Sequence, residues 1–164
     1  MIAIVLAAGS STRLGRPKQD VVFEGETLLA RAVRIASEVA DEVIIVTRDN
    51  NPEADEGIAS SIRAGVLQAR EDARILITLC DQPLVTAAHL RALIAVDAPI
   101  VASGYRGIAG VPAVFAPRFR DELLALRGDR GARAVIEAHR GEAYVVACEE
   151  AAVDVDTEED LLAL

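Results

Sequence analysis

The segment LAAGSSTRLGRPKQ, residues 6–19, comes at the end of the first apolar run of the chain, Ile2–Leu6, and bears most directly on the fold. Its small residues let backbone N–H groups approach a polyphosphate, while Arg13 and Lys18 supply positive charge for a phosphate leaving group. The segment lacks the Gly-Lys-Ser/Thr ending of a P-loop and the three spaced glycines of a dinucleotide-binding fold. A different phosphate-binding α/β class is therefore predicted; the alternative is a turn with solvated basic residues.

Strand and helix patterns alternate along the chain. Short apolar runs rich in β-branched residues predict strands at Ile2–Leu6, Val43–Thr47, Ile75–Leu79, Pro99–Ala102, Val111–Phe115 and Tyr144–Ala147. Apolar residues at helical spacing lie between them, at Leu28, Leu29, Ala32, Ala36 and Val39, at Ile62, Val66 and Ala69, and at Leu90, Leu93 and Ile94. This alternation predicts a Rossmann-like three-layer α/β sandwich, a mostly parallel sheet with helices on both faces.

The ends of several elements are also marked in the sequence. Thr86 and Thr157 are expected to cap helices, and Thr157 is followed three residues later by Asp160, as in a capping box. A short final helix is predicted at Glu158–Leu162. The stretch Gly104–Gly110 is predicted to be a turn between two strands.

Length, charge and cysteine content limit the classes of function. The 164 residues are expected to form one domain, 1–164, and the net charge of −9 argues against nucleic acid, although a single nucleotide needs only a few local cations. Met1–Gly9 lacks a basic leader and is too short to span a bilayer, so a cytoplasmic protein without a membrane partner is expected. Cys80 and Cys148 form no recognisable zinc or disulfide pattern and are interpreted as buried thiols.

Two aspartates at the ends of apolar runs are candidate metal ligands. In open α/β sheets, ligands bind beyond the carboxyl ends of the strands, and Asp81 lies just after the predicted strand Ile75–Leu79. Asp156 precedes the final helix. Carboxylates are ligands that Mg²⁺ prefers, and one or two usually suffice, so we predict that Asp81 and Asp156 share Mg²⁺. The alternatives are a turn at Asp81 and, for Asp154 and Asp156, complementation of the helix dipole.

Polar residues at two other predicted helix starts are candidate ligand contacts. Ser60 and Ser61 follow Gly57, and their hydroxyls suit either polar recognition or helix capping. Arg130, within residues 128–133, is a candidate contact for an acceptor phosphate, or otherwise a solvated residue at a helix start.

Neither histidine is predicted to be catalytic. His89 and His139 lie on predicted helices beside charged residues and are interpreted as facing solvent. A phosphate acceptor is already ionised near neutral pH. Its attack on an α-phosphorus therefore requires positioning and charge neutralisation rather than a general base.

Several segments resemble the nucleotidyltransferases related to molybdenum-cofactor guanylyl- and cytidylyltransferases. Residues 6–19 match the signature loop: Leu-Ala-Ala-Gly, then Ser, Arg, a hydrophobic residue, Gly, and Lys after Pro. Residues 80–83, Cys-Asp-Gln-Pro, resemble the motif of the cytidylyltransferase branch. Asp156 resembles the second metal-binding aspartate, and residues 128–133 the Gly-Asp-Arg-Gly-Ala-Arg segment. The matches follow the family order from residue 4 to residue 162.

The resemblance implies a fold like that of the nucleotide-diphospho-sugar transferases. It also implies Mg²⁺-dependent transfer of CMP from CTP to the terminal phosphate of molybdopterin cofactor, with release of pyrophosphate, and a molybdoenzyme as a potential recipient of the product. It assigns catalytic roles to Arg13, Lys18 and Asp81, and the metal to Asp81 and Asp156. It places the nucleotide against Leu6, Ala7, Ala8, Gly9, Ser10, Ser11, Ser60, Ser61 and Asp81, and the acceptor against Gln82 and Arg130.

The chain departs from the family pattern at two places. Only ten residues separate Val46 from Gly57, where family members usually carry a further helix and strand, so an edge strand is expected to be missing. Val111 stands between Gly110 and Pro112, where His or Asn is expected. The alternatives to CTP-dependent transfer are an enzyme of this fold that uses GTP or a sugar phosphate, and a shortened inactive relative that binds a nucleotide.

Overall fold

A six-stranded sheet forms the centre of the protein, and a two-stranded hairpin lies beside it. The computed structural model describes residues 1–164. The strands are β1 (Ile2–Leu6), β2 (Val22–Phe23), β3 (Glu26–Thr27), β4 (Glu42–Val46), β5 (Ile75–Leu79), β6 (Ile100–Tyr105), β7 (Ile108–Phe115) and β8 (Ala143–Ala147). The helices are α1 (Leu28–Ser37), α2 (Ile58–Gln68), α3 (Ala87–Ala95), α4 (Arg120–Leu124), α5 (Arg133–Ala138) and α6 (Glu158–Leu162).

The sheet has the order β4-β1-β5-β7-β6-β8 and is mostly parallel. β1 pairs in parallel with β4 and β5, and β6 pairs in parallel with β8. Only β7 runs antiparallel to its neighbours, β5 and β6. The predicted mostly parallel α/β sheet is therefore confirmed.

Alternation along the strands divides the core between the two faces of the sheet. On β1, Ile2, Ile4 and Leu6 face one cluster, which contains buried residues of α2, α4 and α5. Ala3 and Val5 face the other cluster, to which α1 and α3 contribute. Because both faces are covered, the strands are apolar on both sides, which accounts for the continuous apolar runs in the sequence.

Most predicted element ends agree with the structure, with one correction. Thr86 and Thr157 cap α3 and α6, and Asp160 completes the capping box. The stretch Gly104–Gly110 is not a long turn. Only residues 106–107 lie outside the strands, because β6 and β7 remain paired as far as Tyr105 and Ile108. The longest helix has 11 residues, and none has the length and hydropathy needed to cross a bilayer.

The short connection after β4 leaves this strand at the edge of the sheet. The Asn50 side chain accepts from the Thr47 N–H at 2.9 Å and donates to the Ile45 carbonyl at 2.7 Å. The Val46 carbonyl points the other way, toward the neighbouring strand, where it accepts from the N–H of Ala7. The Asn50 amide therefore satisfies two backbone groups at the carboxyl end of the outer edge of β4, as a neighbouring strand would.

The prediction that His89 faces solvent was wrong. His89 on α3 is half-buried, and its Nε2 lies 2.8 Å from Oγ of the buried Ser103. Since Ser103 donates its single hydroxyl proton to the Pro112 carbonyl at 2.6 Å, Nε2 of His89 must carry the proton in this pair. Burial lowers the pKa of His89, consistent with a neutral side chain that holds α3 against the β6–β7 pair.

His139 also departs from its prediction. It follows the last residue of α5, and its side chain is 27% exposed. Its Nε2 contacts the Glu122 carboxylate at 2.8 Å and its Nδ1 contacts Glu142 at 3.1 Å. The hydrogen bond to Glu122 is the main cause of a raised pKa at His139. This histidine therefore joins α4 to α5 rather than facing solvent freely.

Gly65 allows α2 to approach β1 closely. A Cβ at this position would lie 2.5 Å from Cγ2 of the fully buried Ile4. We expect Gly65→Ala to lower the free energy of unfolding by about 1–2 kcal/mol, because overpacking outweighs the gain in helix propensity. Urea denaturation measures this change. Gly141→Ala is the matched control, since nothing lies within 4 Å of its Cβ position, and an equal loss there would contradict the explanation.

Candidate active site

Backbone hydrogen bonds beyond the strand ends bring distant parts of the sequence to one edge of the sheet. The Cys80 N–H donates to the Leu6 carbonyl at 3.1 Å, which extends the β1–β5 pairing toward the carboxyl ends of the strands. The Val155 N–H donates to the Asp81 carbonyl at 2.9 Å. As a result, Asp156 lies beside Asp81 although the two are 75 positions apart in the sequence.

The loop after β1 presents free backbone donors. The N–H groups of Ala8, Gly9, Ser10 and Ser11 donate to no atom of the protein. Oγ of Ser11 accepts from the Lys18 N–H at 2.8 Å, which closes the loop on itself. A run of unpaired N–H groups in a bend is a ready anion-binding site.

A small buried apolar cluster packs against the loop that follows β1. Leu14 of the loop packs with Val21, Leu28 and Val155, all of them buried. Val155 is the residue that pairs with Asp81, so the same cluster supports both the loop and the segment carrying Asp156. The basic loop and the acidic segment therefore have a common apolar support.

Lys18 joins the two predicted metal-binding aspartates. Its Nζ lies 2.8 Å from Oδ2 of Asp81 and also contacts Oδ1 of Asp156. Nη2 of Arg13 lies 3.4 Å from Oδ2 of Asp156, and the Arg13 side chain is 72% exposed. The structure thus brings the two cations of the loop together with two carboxylates that lie far from the loop, and from each other, in the sequence.

The electrostatics of this cluster favour the charged form of Lys18 and disfavour the charged form of the neighbouring Asp154. Burial acts to lower the pKa of Lys18, but the charges of Asp81 and Asp156 and their hydrogen bonds outweigh it, so its pKa is raised. Lys18 is therefore a cation at neutral pH. Partial desolvation, together with the negative charges of Asp81 and Asp156, raises the pKa of Asp154 to about 6.

A cavity of about 940 Å³ opens over the loop and the end of β5. Of the predicted site residues, those that line it are Leu6, Ala7, Ala8, Gly9, Ser10, Ser11, Lys18, Ser61 and Asp81. Arg13 and Asp156 are not among the lining residues but contact this cluster through their ion pairs. The volume lies within the usual range for small-molecule sites, roughly 300–1,000 Å³.

Three predicted contacts lie elsewhere. Ser60 is 2% exposed and does not line the cavity. Gln82 is buried, and its Nε2 donates to the carbonyls of Ala151 and Val111 at 2.7 and 3.3 Å. Arg130 is exposed and outside the cavity lining. The side chains of Ser60 and Gln82 are thus engaged inside the protein rather than at the cavity surface.

Charged residues that the sequence analysis did not propose as site residues also line the cavity, namely Arg16, Arg48, Asp49, Asp55 and Asp129. Arg48 donates to the Ala8 carbonyl at 3.3 Å and forms an ion pair with Asp55. Arg48 and Asp49 follow the carboxyl end of β4, so the strand-end rule used for Asp81 would have found them. Asp129 lies in the Gly-Asp-Arg-Gly-Ala-Arg segment, residues 128–133, of which the sequence analysis proposed only Arg130 as a ligand contact.

Gly57 fixes the start of α2 against the loop that carries Asp129. Its φ of 126° favours glycine, and a Cβ there would lie 2.5 Å from the Gly128 carbonyl. The Gly128 N–H donates to the Glu56 carboxylate at 2.9 Å. Hydrogen bonds from Arg63 and then from Gly128 lower the pKa of Glu56 to about 2. These contacts hold both segments at the cavity wall.

The chain is similar in sequence to proteins of two bacteria, a purine catabolism protein and a probable guanylyltransferase. It is 27% identical to the purine catabolism protein PucB of Bacillus subtilis, with 98% of this chain and 93% of that protein covered. It is 33% identical to a probable molybdenum cofactor guanylyltransferase of Opitutus terrae, covering 78% of this chain and 56% of that protein.

A solved structure has the same architecture. The crystal structure of Rv0371c from Mycobacterium tuberculosis superposes with a TM-score of 0.85 at 29% identity, covering 99% of this chain and 96% of that one. Residues 3–143 match the family described as the MobA-like NTP transferase domain. With this match over most of its length, and with a phosphate-type loop facing paired carboxylates, the chain belongs to the MobA-like NTP transferase family of nucleotidyltransferases.

Proposed function

We propose that this protein transfers CMP from CTP to the phosphate of molybdopterin cofactor and releases pyrophosphate. The observation that carries the proposal is the convergence of Lys18, Asp81 and Asp156 beside a loop of free N–H groups. This arrangement provides donors for a triphosphate and acidic oxygens for a divalent cation in one place. The Leu-Ala-Ala-Gly and Cys-Asp-Gln-Pro segments, which resemble the cytidine-using branch, support CTP as the donor.

The acidic residues fit Mg²⁺. Oδ1 of Asp81 is buried and has no hydrogen-bond partner, and Asp156 supplies a second carboxylate close by. Oxygen ligands of this kind suit Mg²⁺, which usually retains several waters. Bound Mg²⁺ would neutralise negative charge on the phosphates and help to orient them. A structure of the Mycobacterium tuberculosis protein in complex with manganese supports divalent-cation binding in a relative that is 27% identical.

The basic residues act on the departing pyrophosphate. Lys18 and the N–H groups of Ala8–Ser11 stabilise the charge that develops as the bond between the α- and β-phosphates breaks. Arg13, which is exposed at the edge of the cluster, adds positive charge on the same side. The acceptor phosphate oxygen forms the new bond to the α-phosphorus, and no general base is required because that oxygen is already ionised.

A second candidate is the same transfer with GTP as the donor. The Opitutus terrae relative, at 33% identity, bears the name of a guanylyltransferase, which favours this alternative over other bases. The cavity wall also contains Arg48 and four aspartates, a mixture of hydrogen-bond donors and acceptors that suits the edge of guanine as well as that of cytosine.

Pyrophosphate release measured with CTP, GTP, UTP and ATP in parallel, with Mg²⁺ and purified molybdopterin cofactor, tests the proposal. We expect turnover with CTP to exceed turnover with the other nucleotides by at least about tenfold, which corresponds to about 1.4 kcal/mol of discrimination. The cytosine dinucleotide product is identified by mass spectrometry. A preference for GTP would instead assign the second candidate.

The same samples distinguish an enzyme from an inactive relative. A nucleotide that binds the folded state raises the melting temperature by mass action, whether or not transfer follows. Stabilisation by a triphosphate without turnover on molybdopterin cofactor or on sugar phosphates would overturn the proposed activity. Chelation with EDTA should abolish turnover if a divalent cation is required.

A further inference from the structure

A buried hydrogen-bond network lies behind one wall of the cavity. Asn51, Ser60 and Ser61 are each less than 6% exposed, yet of the three only Ser61 reaches the cavity. Asn51 follows β4 in the sequence, and the two serines lie in the first turn of α2. The network therefore joins the short connection after β4 to the helix that forms the wall.

The contacts determine the orientation of the Asn51 amide. Its Oδ1 accepts from the Glu53 N–H at 3.2 Å, so the nitrogen must face the serines. Nδ2 donates to Oγ of Ser60 and to Oγ of Ser61, both at 3.0 Å. Both protons of the amide nitrogen are therefore used, and both serine oxygens act as acceptors toward Asn51.

The hydroxyl groups of Ser60 and Ser61 differ in whether they donate a hydrogen bond within the protein. Ser60 donates its proton to the Gly57 carbonyl at 2.9 Å, so its hydroxyl is fully engaged within the protein. The Ser61 hydroxyl accepts from Asn51 but donates to no atom of the protein. Its single proton is thus available to a ligand in the cavity, and Asn51 prevents it from turning inward, since an N–H group cannot accept a hydrogen bond.

We propose that Asn51 is a positioning residue that makes Ser61 a hydrogen-bond donor to an oxygen of the nucleoside, either a base carbonyl or a ribose oxygen. The inference depends on the proposed function, because it requires a nucleotide in this cavity. The cations that serve the triphosphate are at Lys18 and Arg13, whereas a neutral hydroxyl suits the uncharged nucleoside. Ser60 serves the structure of α2, and Ser61 serves the ligand.

The first test removes the donor. Ser61→Ala should raise the Kd of Mg²⁺-CTP about tenfold by calorimetry, as expected for one lost hydrogen bond, while kcat at saturation changes less than KM. Ser37→Ala is the matched control, because that hydroxyl donates to the Val33 carbonyl on the exposed side of α1. A Kd within twofold of wild type for Ser61→Ala would overturn the proposal.

The second test reverses the hydrogen-bond direction. In Asn51→Asp, the carboxylate can only accept, so the Ser61 hydroxyl should turn to donate to it and be lost to the ligand. We expect Asn51→Asp to weaken CTP binding about as much as Ser61→Ala, and the double variant to be no weaker than either single one. Additive losses in this double-mutant cycle would mean that Asn51 has only a structural role.

Deoxynucleotides identify the acceptor atom and do not depend on the folding of the Asn51 variant. If Ser61 donates to a ribose hydroxyl, Ser61→Ala should cost nothing with the 2′-deoxy or 3′-deoxy form of CTP that lacks it. If the acceptor is the base carbonyl, the loss should be about tenfold with all three nucleotides. Binding of CTP to the wild-type protein is measured first. Absence of CTP binding would refute the proposed function, whereas CTP binding that is the same in the wild type and in the variants would refute only this inference.

Discussion

Asp81→Asn is expected to lower kcat by about three orders of magnitude, which corresponds to about 4 kcal/mol of lost transition-state stabilisation. The substitution is nearly isosteric but removes the charge that Lys18 contacts at 2.8 Å and the buried carboxylate oxygen that has no protein partner. The substitution therefore affects both a candidate metal ligand and the position of the Lys18 ammonium group. Initial rates of pyrophosphate release at saturating nucleotide measure the effect.

A matched control separates a site effect from a general effect of charge. Asp97 is exposed after α3 and makes no ion pair, so Asp97→Asn should retain wild-type turnover. Mn²⁺ titration in the presence of CTP provides a readout independent of turnover, and Asp81→Asn should weaken Mn²⁺ binding. Turnover within tenfold of wild type in Asp81→Asn would exclude Asp81 from the proposed chemistry.

Lys18→Met should reduce kcat by two to three orders of magnitude, roughly the effect of removing one preorganised donor to a developing charge. Methionine preserves most of the length and apolar volume of the side chain but cannot donate. Lys18→Arg should recover only part of the loss, because the planar guanidinium does not fit between two carboxylates as a compact ammonium group does.

Lys18 can also be observed directly by isotope labelling. Lys18 is the only lysine in the sequence, so ¹³C-lysine labelling gives a single side-chain signal. Addition of Mg²⁺-CTP should shift that signal if Lys18 contacts the triphosphate. Arg91→Met, which removes an exposed positive charge on α3, is the control for turnover. An unshifted lysine signal together with normal turnover in Lys18→Met would contradict the proposed role.

Much of the fold could be predicted because its signals are local. Short apolar runs such as Ile2–Leu6 and Ile75–Leu79 coincide with observed strands, and Thr157 with Asp160 marks the start of α6. The turn predicted at Gly104–Gly110 is present but shorter than expected, and the prediction for His89 was wrong. Strand pairing extends the hairpin across residues with weak strand preference, and the partner of His89 lies on another element. Neither effect is visible in a local window.

The sequence by itself determined which chemical groups the candidate site contains: a small-residue loop after the first strand with the cations Arg13 and Lys18, and acidic residues at the ends of other segments. The tertiary structure alone decided which side chains reach the cavity. Ser60 and Ser61 are neighbours of the same type, but successive positions on a helix point about 100° apart, so only Ser61 lines the cavity. Asp129 and Arg48 reach the same wall only because Gly57 allows the loop at Gly128 to pack against α2 and because β4 lies next to β1. Such contacts depend on the packing of residues distant in sequence, which local patterns do not encode.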